Sequence, residues 1–121
     1  MKVLALRRNP QLISDDDPYC DAAYGNSNEN INKIMSESDY ILVAAPLTED
    51  TRGLVGKEAF EHTKDGAVLI NVGRGPILDE DALIEALKGE KLRGAALDVV
   101  TVEPLPEESE LWDLDNVLIS P

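Results

Sequence analysis

Short apolar runs separated by polar segments dominate this chain of 121 residues. Strand-sized runs without polar alternation are typical of parallel sheets, whose strands are covered on both faces. A further minor strand is expected near Ala22 to Tyr24, inside a segment rich in Asn, Asp, Ser and Pro. The five main runs predict buried strands at residues 2–7, 40–45, 67–72, 94–99 and 116–120.

Apolar residues at helical spacing occur between these runs, and they predict helices at 29–36, 56–63 and 79–88. Leu78 and Leu83 flank Asp79 as in a hydrophobic staple, so Asp79 is the expected N-cap of the last helix. Gly89 is a natural end for that helix. Strands that alternate with helices predict an α/β fold, a doubly wound parallel sheet with right-handed crossovers.

Composition and charge narrow the possible partners. A hydrophobic content of 43% is globular, and a net charge of −13 disfavours nucleic acid and anionic membranes as partners. Cys20 is the single cysteine, so an internal disulfide is excluded and a reducing, cytoplasmic compartment is favoured. If the chain is a fragment, organellar targeting stays open because the native N-terminus is not visible. No membrane span and no metal site are predicted.

Candidate binding residues follow the predicted strands. In a parallel sheet the carboxyl ends of the strands meet at one edge, which is where ligands bind in open α/β sheets. Arg74 between two glycines is either a solvated residue in a turn or part of a ligand-binding site, and the convergence of strand ends favours the second interpretation. The strand-end residues are Arg7 and Arg8, Ala45 and Pro46, Val72 to Gly75, and Asp98 with Glu103.

The segment from Ser38 to Pro121 contains "APLTEDTRGLV", "LINVGRGPILDEDALIEAL" and "GAALDVVTVEPLP". In order and spacing these motifs resemble the nucleotide-binding domain of the D-isomer-specific 2-hydroxyacid dehydrogenases, which include glyoxylate/hydroxypyruvate reductases and phosphoglycerate dehydrogenases. The resemblance implies a Rossmann-like oxidoreductase, a homodimer as the complete protein, that transfers a hydride between NAD(P)H and a small 2-oxo or 2-hydroxy acid. Hydroxypyruvate or glyoxylate is preferred, and phosphoglycerate stays possible. The alternative is a non-catalytic nucleotide-binding or interaction module of the same fold.

The resemblance also implies residue roles. Arg74 matches the arginine that holds the carboxylate and carbonyl oxygen of the substrate near the nicotinamide, so it is expected to be a catalytic residue that also borders the cofactor. Glu103 matches the glutamate that pairs with a catalytic histidine and raises the pKa of that histidine; otherwise it is a loop carboxylate. Asp98 matches a residue that binds the nicotinamide carboxamide; otherwise it caps a strand end. The residues that match the lining of the cofactor pocket are Ala45, Pro46, Val72 and Gly73.

Cofactor preference depends on Arg7 and Arg8, which follow the first predicted strand. NAD-specific members carry an acidic residue at this place, where it binds the ribose 2′-hydroxyl. Two guanidinium groups would instead attract a 2′-phosphate, so NADP is preferred and NAD stays possible. The alternative is that both arginines are ordinary solvated residues.

Two parts of the family pattern are not found in residues 1–121. The first is the glycine motif GxGxxG, which does not occur. The second is the catalytic histidine, because the only histidine, His62, falls in a predicted helix and is expected to be exposed and non-catalytic. The chain is therefore expected to be a partial dinucleotide-binding domain without its first strand, its glycine-rich loop or a substrate domain. The missing strand would lie between runs 2–7 and 40–45, and the segment alone is expected to be inactive.

Overall fold

The computed structural model describes residues 1–120. Within residues 1–120 the chain forms six strands and three helices, and short 3₁₀ turns lie in three of the connections between them. The strands are β1 (Leu4–Leu6), β2 (Ala22–Tyr24), β3 (Tyr40–Val43), β4 (Ala67–Asn71), β5 (Leu92–Leu97) and β6 (Val117–Ile119), and the helices are α1 (Asn28–Glu37), α2 (Lys57–His62) and α3 (Glu80–Lys88). The 3₁₀ turns are Pro10–Leu12, Gly75–Ile77 and Glu110–Asp113.

All strand pairs are parallel, and they form two sheets. Strands β3, β4, β5 and β6 lie side by side in chain order, and β1 pairs only with β2. Within residues 1–120, β1 and β3 therefore each keep one edge without a neighbouring strand. This separation agrees with the gap predicted between runs 2–7 and 40–45, and the predicted parallel α/β class is confirmed.

The predicted strands and the three predicted helices all form, with shifted ends. Most strands are shorter than their apolar runs because the pairing with the neighbouring strand stops before the run ends. The pairing of β3 with β4, for example, ends where Val43 lies opposite Asn71. Strand β5 begins two residues earlier than predicted, at Leu92. Leu92 is fully buried, but the charged residues on either side of it hide the strand pattern in the sequence.

One face of the four-stranded sheet forms the core with the helices. Alternate residues of β4 point to this face, namely Ala67, Leu69 and Asn71, all of them buried. Helix α3 covers it with Leu83 and Leu87. The predicted N-cap is confirmed, because the side chain of Asp79 accepts a hydrogen bond of 3.2 Å from the backbone N–H of Ala82. Such a cap stabilises a helix by about 1 kcal/mol.

The opposite face of this sheet carries exposed apolar side chains. Strand register aligns Leu42 with Ile70, Ala96 and Leu118 in a row across all four strands. Leu42 is 64% exposed and Leu118 is 70% exposed. Parallel sheets are normally covered on both faces, so this row is suited to packing against a further layer. Within residues 1–120, none of the helices combines the length and apolar character needed to cross a bilayer.

Candidate functional site

The carboxyl ends of three neighbouring strands meet at one edge of the larger sheet. Val43 of β3 lies opposite Asn71 of β4, and Asn71 lies opposite Leu97 of β5. The residues that follow these strands therefore share the edge, as the sequence predicts. They are Ala45 and Pro46, Val72 to Gly75, and Asp98.

An open cavity of 460 Å³ lies between the ends of β3 and β4. Its lining includes the exposed side chains of Pro46 and Val72 together with Gly73 and Arg74. The Arg74 guanidinium donates a 2.8 Å hydrogen bond to the carbonyl of Gly73, which uses one of its five N–H donors. The cavity thus combines an apolar wall with one cationic group.

Gly73 lies where the two strand ends approach most closely. A methyl group on Gly73 would lie 2.8 Å from the carbonyl oxygen of Ala45, which is closer than real side chains come to such an atom. Only glycine therefore allows the backbone after β4 to pack directly against the backbone after β3. Both residues of this contact line the cavity.

The turn after β3 is held by Thr51. The hydroxyl of Thr51 donates a 2.6 Å hydrogen bond to the carbonyl of Pro46 and accepts one of 2.8 Å from the backbone N–H of Thr48. The "APLTEDT" motif therefore encodes a turn that fixes Pro46 at the edge of the cavity.

Asn71, which the sequence analysis did not select, connects the site. Its side-chain oxygen accepts a hydrogen bond of 3.0 Å from the N–H of Gly73, and its amide nitrogen donates one of 3.1 Å to the carbonyl of Arg74. Its backbone carbonyl accepts a hydrogen bond of 3.0 Å from the N–H of Asp98. The sequence contains a signal for this role, because Asn71 is a polar residue at an inward-facing position of an apolar strand, two residues before Gly73.

The loop that carries Glu103 is fixed by two carboxylates. Glu103 accepts a 3.1 Å hydrogen bond from the N–H of Val100, and Glu80 of α3 accepts one of 3.0 Å from the N–H of Thr101. Glu103 is exposed, and so is Asp98, whose carboxylate accepts a hydrogen bond from the hydroxyl of Ser120. Both predicted carboxylates are therefore accessible on the segment that follows β5.

Arg7 and Arg8 follow β1, which belongs to the smaller sheet. Both side chains are exposed, and the backbone N–H of Arg7 donates a 2.8 Å hydrogen bond to the carbonyl of Tyr24. They lie at the carboxyl end of their own strand, but no strand pairing joins β1 to the larger sheet. Their proximity to Arg74 stays a prediction.

Features near the amino ends of the strands of the larger sheet do not join this site. His62 is exposed at the last position of α2, and its Nδ1 lies 2.9 Å from the carbonyl oxygen of Glu58. A larger cavity of 690 Å³ is lined by Gly66, Leu92 and Asn116, which lie at the amino ends of their strands. Ligands of open parallel sheets bind at the carboxyl ends, so the smaller cavity is the candidate site.

Comparisons with known proteins identify the family and the fold of this chain. The family model for the D-isomer specific 2-hydroxyacid dehydrogenase NAD binding domain matches residues 1–121. A glyoxylate/hydroxypyruvate reductase B from Erwinia tasmaniensis is 45% identical over 106 residues, which are 88% of this chain and 30% of that reductase. The chain thus spans about a third of the length of the curated relatives that it matches.

Solved structures show the same relationship. A D-isomer specific 2-hydroxyacid dehydrogenase from Xanthobacter autotrophicus Py2 has a TM-score of 0.87 and 38% identity, and the match covers 100% of this chain and 38% of that one. A structure of such an enzyme from the same organism, in complex with NADPH and MES, has a TM-score of 0.82 and 34% identity, and the match covers 100% and 57% of the two chains. The chain therefore belongs to the D-isomer specific 2-hydroxyacid dehydrogenase family and forms its NAD-binding domain fold.

Proposed function

We propose that this chain is the nucleotide-binding part of a reductase that uses NADPH and acts on a small 2-oxo acid, with hydroxypyruvate or glyoxylate as the preferred substrate. The observation that carries the proposal is Arg74, a cationic side chain on a fixed turn at the rim of a cavity between strand ends. Glyoxylate/hydroxypyruvate reductases among the relatives support this substrate class.

Arg74 supplies the recognition of the acid. A guanidinium group keeps its charge at all working pH values and presents paired N–H donors that match the geometry of a carboxylate. The same group can also donate to the carbonyl oxygen beside the carboxylate, which polarises the carbon that is reduced. Because Arg74 is fixed through Gly73 to the end of β4, the substrate would be held at a defined place in the cavity.

The lining of the cavity suits a nicotinamide ring. Pro46 and Val72 offer apolar surface beside the close backbone contact of Gly73 with Ala45. Asp98 lies on the adjacent strand end, where its carboxylate can accept hydrogen bonds from a carboxamide. The bound cofactor supplies the hydride, while the protein orients the reactants and excludes water.

We assign the preference for NADP to Arg7 and Arg8. Both are exposed at the carboxyl end of β1, the strand end at which related folds bind the ribose of the cofactor. The family model names NAD, and a structural relative was solved with NADPH, so the family accommodates both cofactors. Two cations in place of an acidic residue support NADP.

Proton transfer would depend on Glu103 and on a histidine outside these residues. Glu103 is exposed and tied to the backbone of its loop, which suits it to orient a neighbouring imidazole and to raise the pKa of that imidazole. His62 lies on the side of the amino ends of the strands and cannot take this role. The acid that protonates the substrate oxygen is therefore proposed to come from another segment.

We propose accordingly that residues 1–121 are one part of a longer polypeptide. The curated relatives are about three times as long, and the exposed row from Leu42 to Leu118 suits a further covering layer. The open edges of β1 and β3 could both be satisfied by one more parallel strand. Assembly as a homodimer and a cytoplasmic location stay predictions.

An absorbance assay of reduced nicotinamide tests the proposed function. The 121-residue chain and the complete polypeptide that carries it would each be incubated with NADPH and either hydroxypyruvate or glyoxylate. We expect the complete polypeptide to consume NADPH with at least one of the two acids, and the 121-residue chain to show no turnover. A complete polypeptide that binds NADPH but reduces neither acid would instead indicate a non-catalytic nucleotide-binding module.

A further inference from the structure

Asn71 is a polar side chain enclosed by the hydrophobic core. It is 0% exposed and follows Ala67 and Leu69 as the third inward-facing residue of β4. Within residues 1–120, the core encloses one other polar side chain, that of Thr63. Thr63 donates its hydroxyl hydrogen bond to the carbonyl of Ala59, one turn back in the chain. Asn71 differs because its bonds reach forward into the candidate site.

Both polar atoms of the Asn71 side chain bind the same turn. The oxygen accepts from the N–H of Gly73 at 3.0 Å, and the nitrogen donates to the carbonyl of Arg74 at 3.1 Å. The two contacts bracket the Gly73–Arg74 peptide from the buried side. Because the side chain of Asn71 is itself fixed by the packed core, the bracketed peptide has little freedom to rotate.

The backbone of Asn71 extends this arrangement to the next strand. Its carbonyl accepts a 3.0 Å hydrogen bond from the N–H of Asp98. One residue therefore contacts both segments that carry proposed binding groups, the turn with Arg74 and the end of β5. A leucine would fill the same core position, but it would leave the N–H of Gly73 and the carbonyl of Arg74 without these partners.

We propose that Asn71 is a positioning residue that holds Arg74 in the orientation needed to bind the substrate carboxylate. This inference rests on the proposed function and deepens it. Asn71 does not touch the substrate; it acts through the Gly73–Arg74 peptide. The Arg74 side chain is exposed and its guanidinium donates to the carbonyl of Gly73, so its orientation depends on how the Gly73–Arg74 peptide is held.

Steady-state kinetics of the complete polypeptide tests this role. Asn71→Asp keeps the acceptor for Gly73 but places an oxygen, not a donor, against the Arg74 carbonyl. We expect kcat/KM for hydroxypyruvate to fall by about 10²-fold, while KM for NADPH stays within about twofold of its original value. The matched control is Asn116→Asp, which removes a 3.2 Å hydrogen bond to the carbonyl of Leu87 at the opposite edge of the sheet. It should leave both constants unchanged.

A double-mutant cycle separates positioning from a general loss of structure. In an Arg74→Ala background, Asn71→Asp should change kcat/KM by no more than about twofold, because the Arg74 side chain that Asn71 is proposed to position is already absent. An unreduced effect of Asn71→Asp in that background would overturn the proposal, since Asn71 would then act independently of Arg74.

Hydrogen exchange gives a readout that does not require activity. In Asn71→Ala of the complete polypeptide, the amide of Gly73 should exchange at least about tenfold faster, whereas the amide of Val72, which donates to Val43, should change less. Unchanged exchange of Gly73 would overturn the proposal, whether or not the protein is a reductase. If Gly73 exchanges faster but the unsubstituted protein reduces no 2-oxo acid, Asn71 still fixes the turn, and the proposed function alone fails.

Discussion

Gly75 packs against the backbone of Val100 so closely that a methyl group on Gly75 would lie 2.1 Å from the Val100 carbonyl carbon and oxygen. This contact joins the two segments that carry proposed site residues, because Gly75 follows Arg74 and Val100 precedes the loop that carries Glu103. The arrangement of the two candidate groups therefore depends on a backbone contact that only glycine permits.

Replacement of Gly75 by alanine should consequently destabilise the protein. No flexible side chain can yield at this contact, so the two backbones must separate at a cost of roughly 1–3 kcal/mol. Chemical denaturation of the purified variant measures the loss. The matched control is Gly25→Ala, whose added methyl group would meet Pro10 at 3.8 Å, an ordinary contact distance. Equal stabilities of the two variants would show that the close contact is absent in solution.

The cofactor preference is tested by Arg7→Asp in the complete polypeptide. The charge-assisted hydrogen bond that Arg7 is proposed to make to a 2′-phosphate contributes about 1.5–3 kcal/mol, so NADPH affinity should fall by roughly 10- to 100-fold. NADH affinity should hold or rise, because an acidic side chain can accept from a ribose hydroxyl. Titration by nicotinamide fluorescence measures both affinities. Equal affinities of the unsubstituted protein for the two cofactors would contradict the assignment.

Replacement of Glu103 should change the pH profile of the reduction rate without disrupting the loop that carries it. In Glu103→Gln the amide oxygen can still accept from Val100, but the negative charge that would raise the pKa of a neighbouring histidine is lost. The limb of the reduction rate that falls at alkaline pH should therefore move to lower pH. Glu80→Gln is the matched control, because it removes a charge that contacts the backbone of the same loop at a residue with no proposed role in proton transfer. A shift of equal size in both variants would refute the specific role of Glu103.

A pH effect on stability is expected at α1. Glu37 accepts hydrogen bonds from Lys33 and Lys2, and these contacts lower the pKa of Glu37 below its ordinary value of 4.5. Because the pKa is lowered by folding, the contribution is present at neutral pH and is lost as the pH falls through the folded pKa. Thermal unfolding should show Glu37→Gln slightly less stable at pH 7 and equally stable in acid. These ion pairs lie at the protein surface, so the difference should be small and sensitive to salt. A difference that grows in acid would exclude this origin.

Much of the fold could be predicted from local patterns. The apolar run from Ala67 to Val72 specified β4, and the polar cap at Asp79 specified the start of α3, since both signals lie within a few residues of the element that they encode. The start of β5 could not be predicted, because burial of Leu92 depends on contacts with distant residues. The sequence indicates a turn around Gly75 but not its 3₁₀ form at Gly75–Ile77, because a 3₁₀ pattern of three residues is too short to recognise.

The candidate site was predicted as a group of strand ends, but not as a network. Glycine and arginine in "VGRG" mark a close approach and a charge, and both can be recognised in the sequence. The hydrogen bonds from Asn71 to Gly73 and Arg74 depend on which face of β4 is buried, which is settled only when the sheet packs against its helices. The position of Arg7 relative to the strand ends of the larger sheet depends on how two separate sheets pack, which a local sequence pattern does not encode.

Arg74→Ala in the complete polypeptide tests the central claim most directly. Loss of the guanidinium should reduce kcat/KM for hydroxypyruvate and glyoxylate by about 10²-fold or more, because carboxylate binding and orientation are lost together, while NADPH affinity changes little. Arg93→Ala is the control of equal charge, since Arg93 is exposed near the amino end of β5 and donates to the Tyr40 hydroxyl. Full activity of Arg74→Ala with either acid, or equal losses in the two variants, would contradict the assignment of Arg74 as the substrate-binding residue.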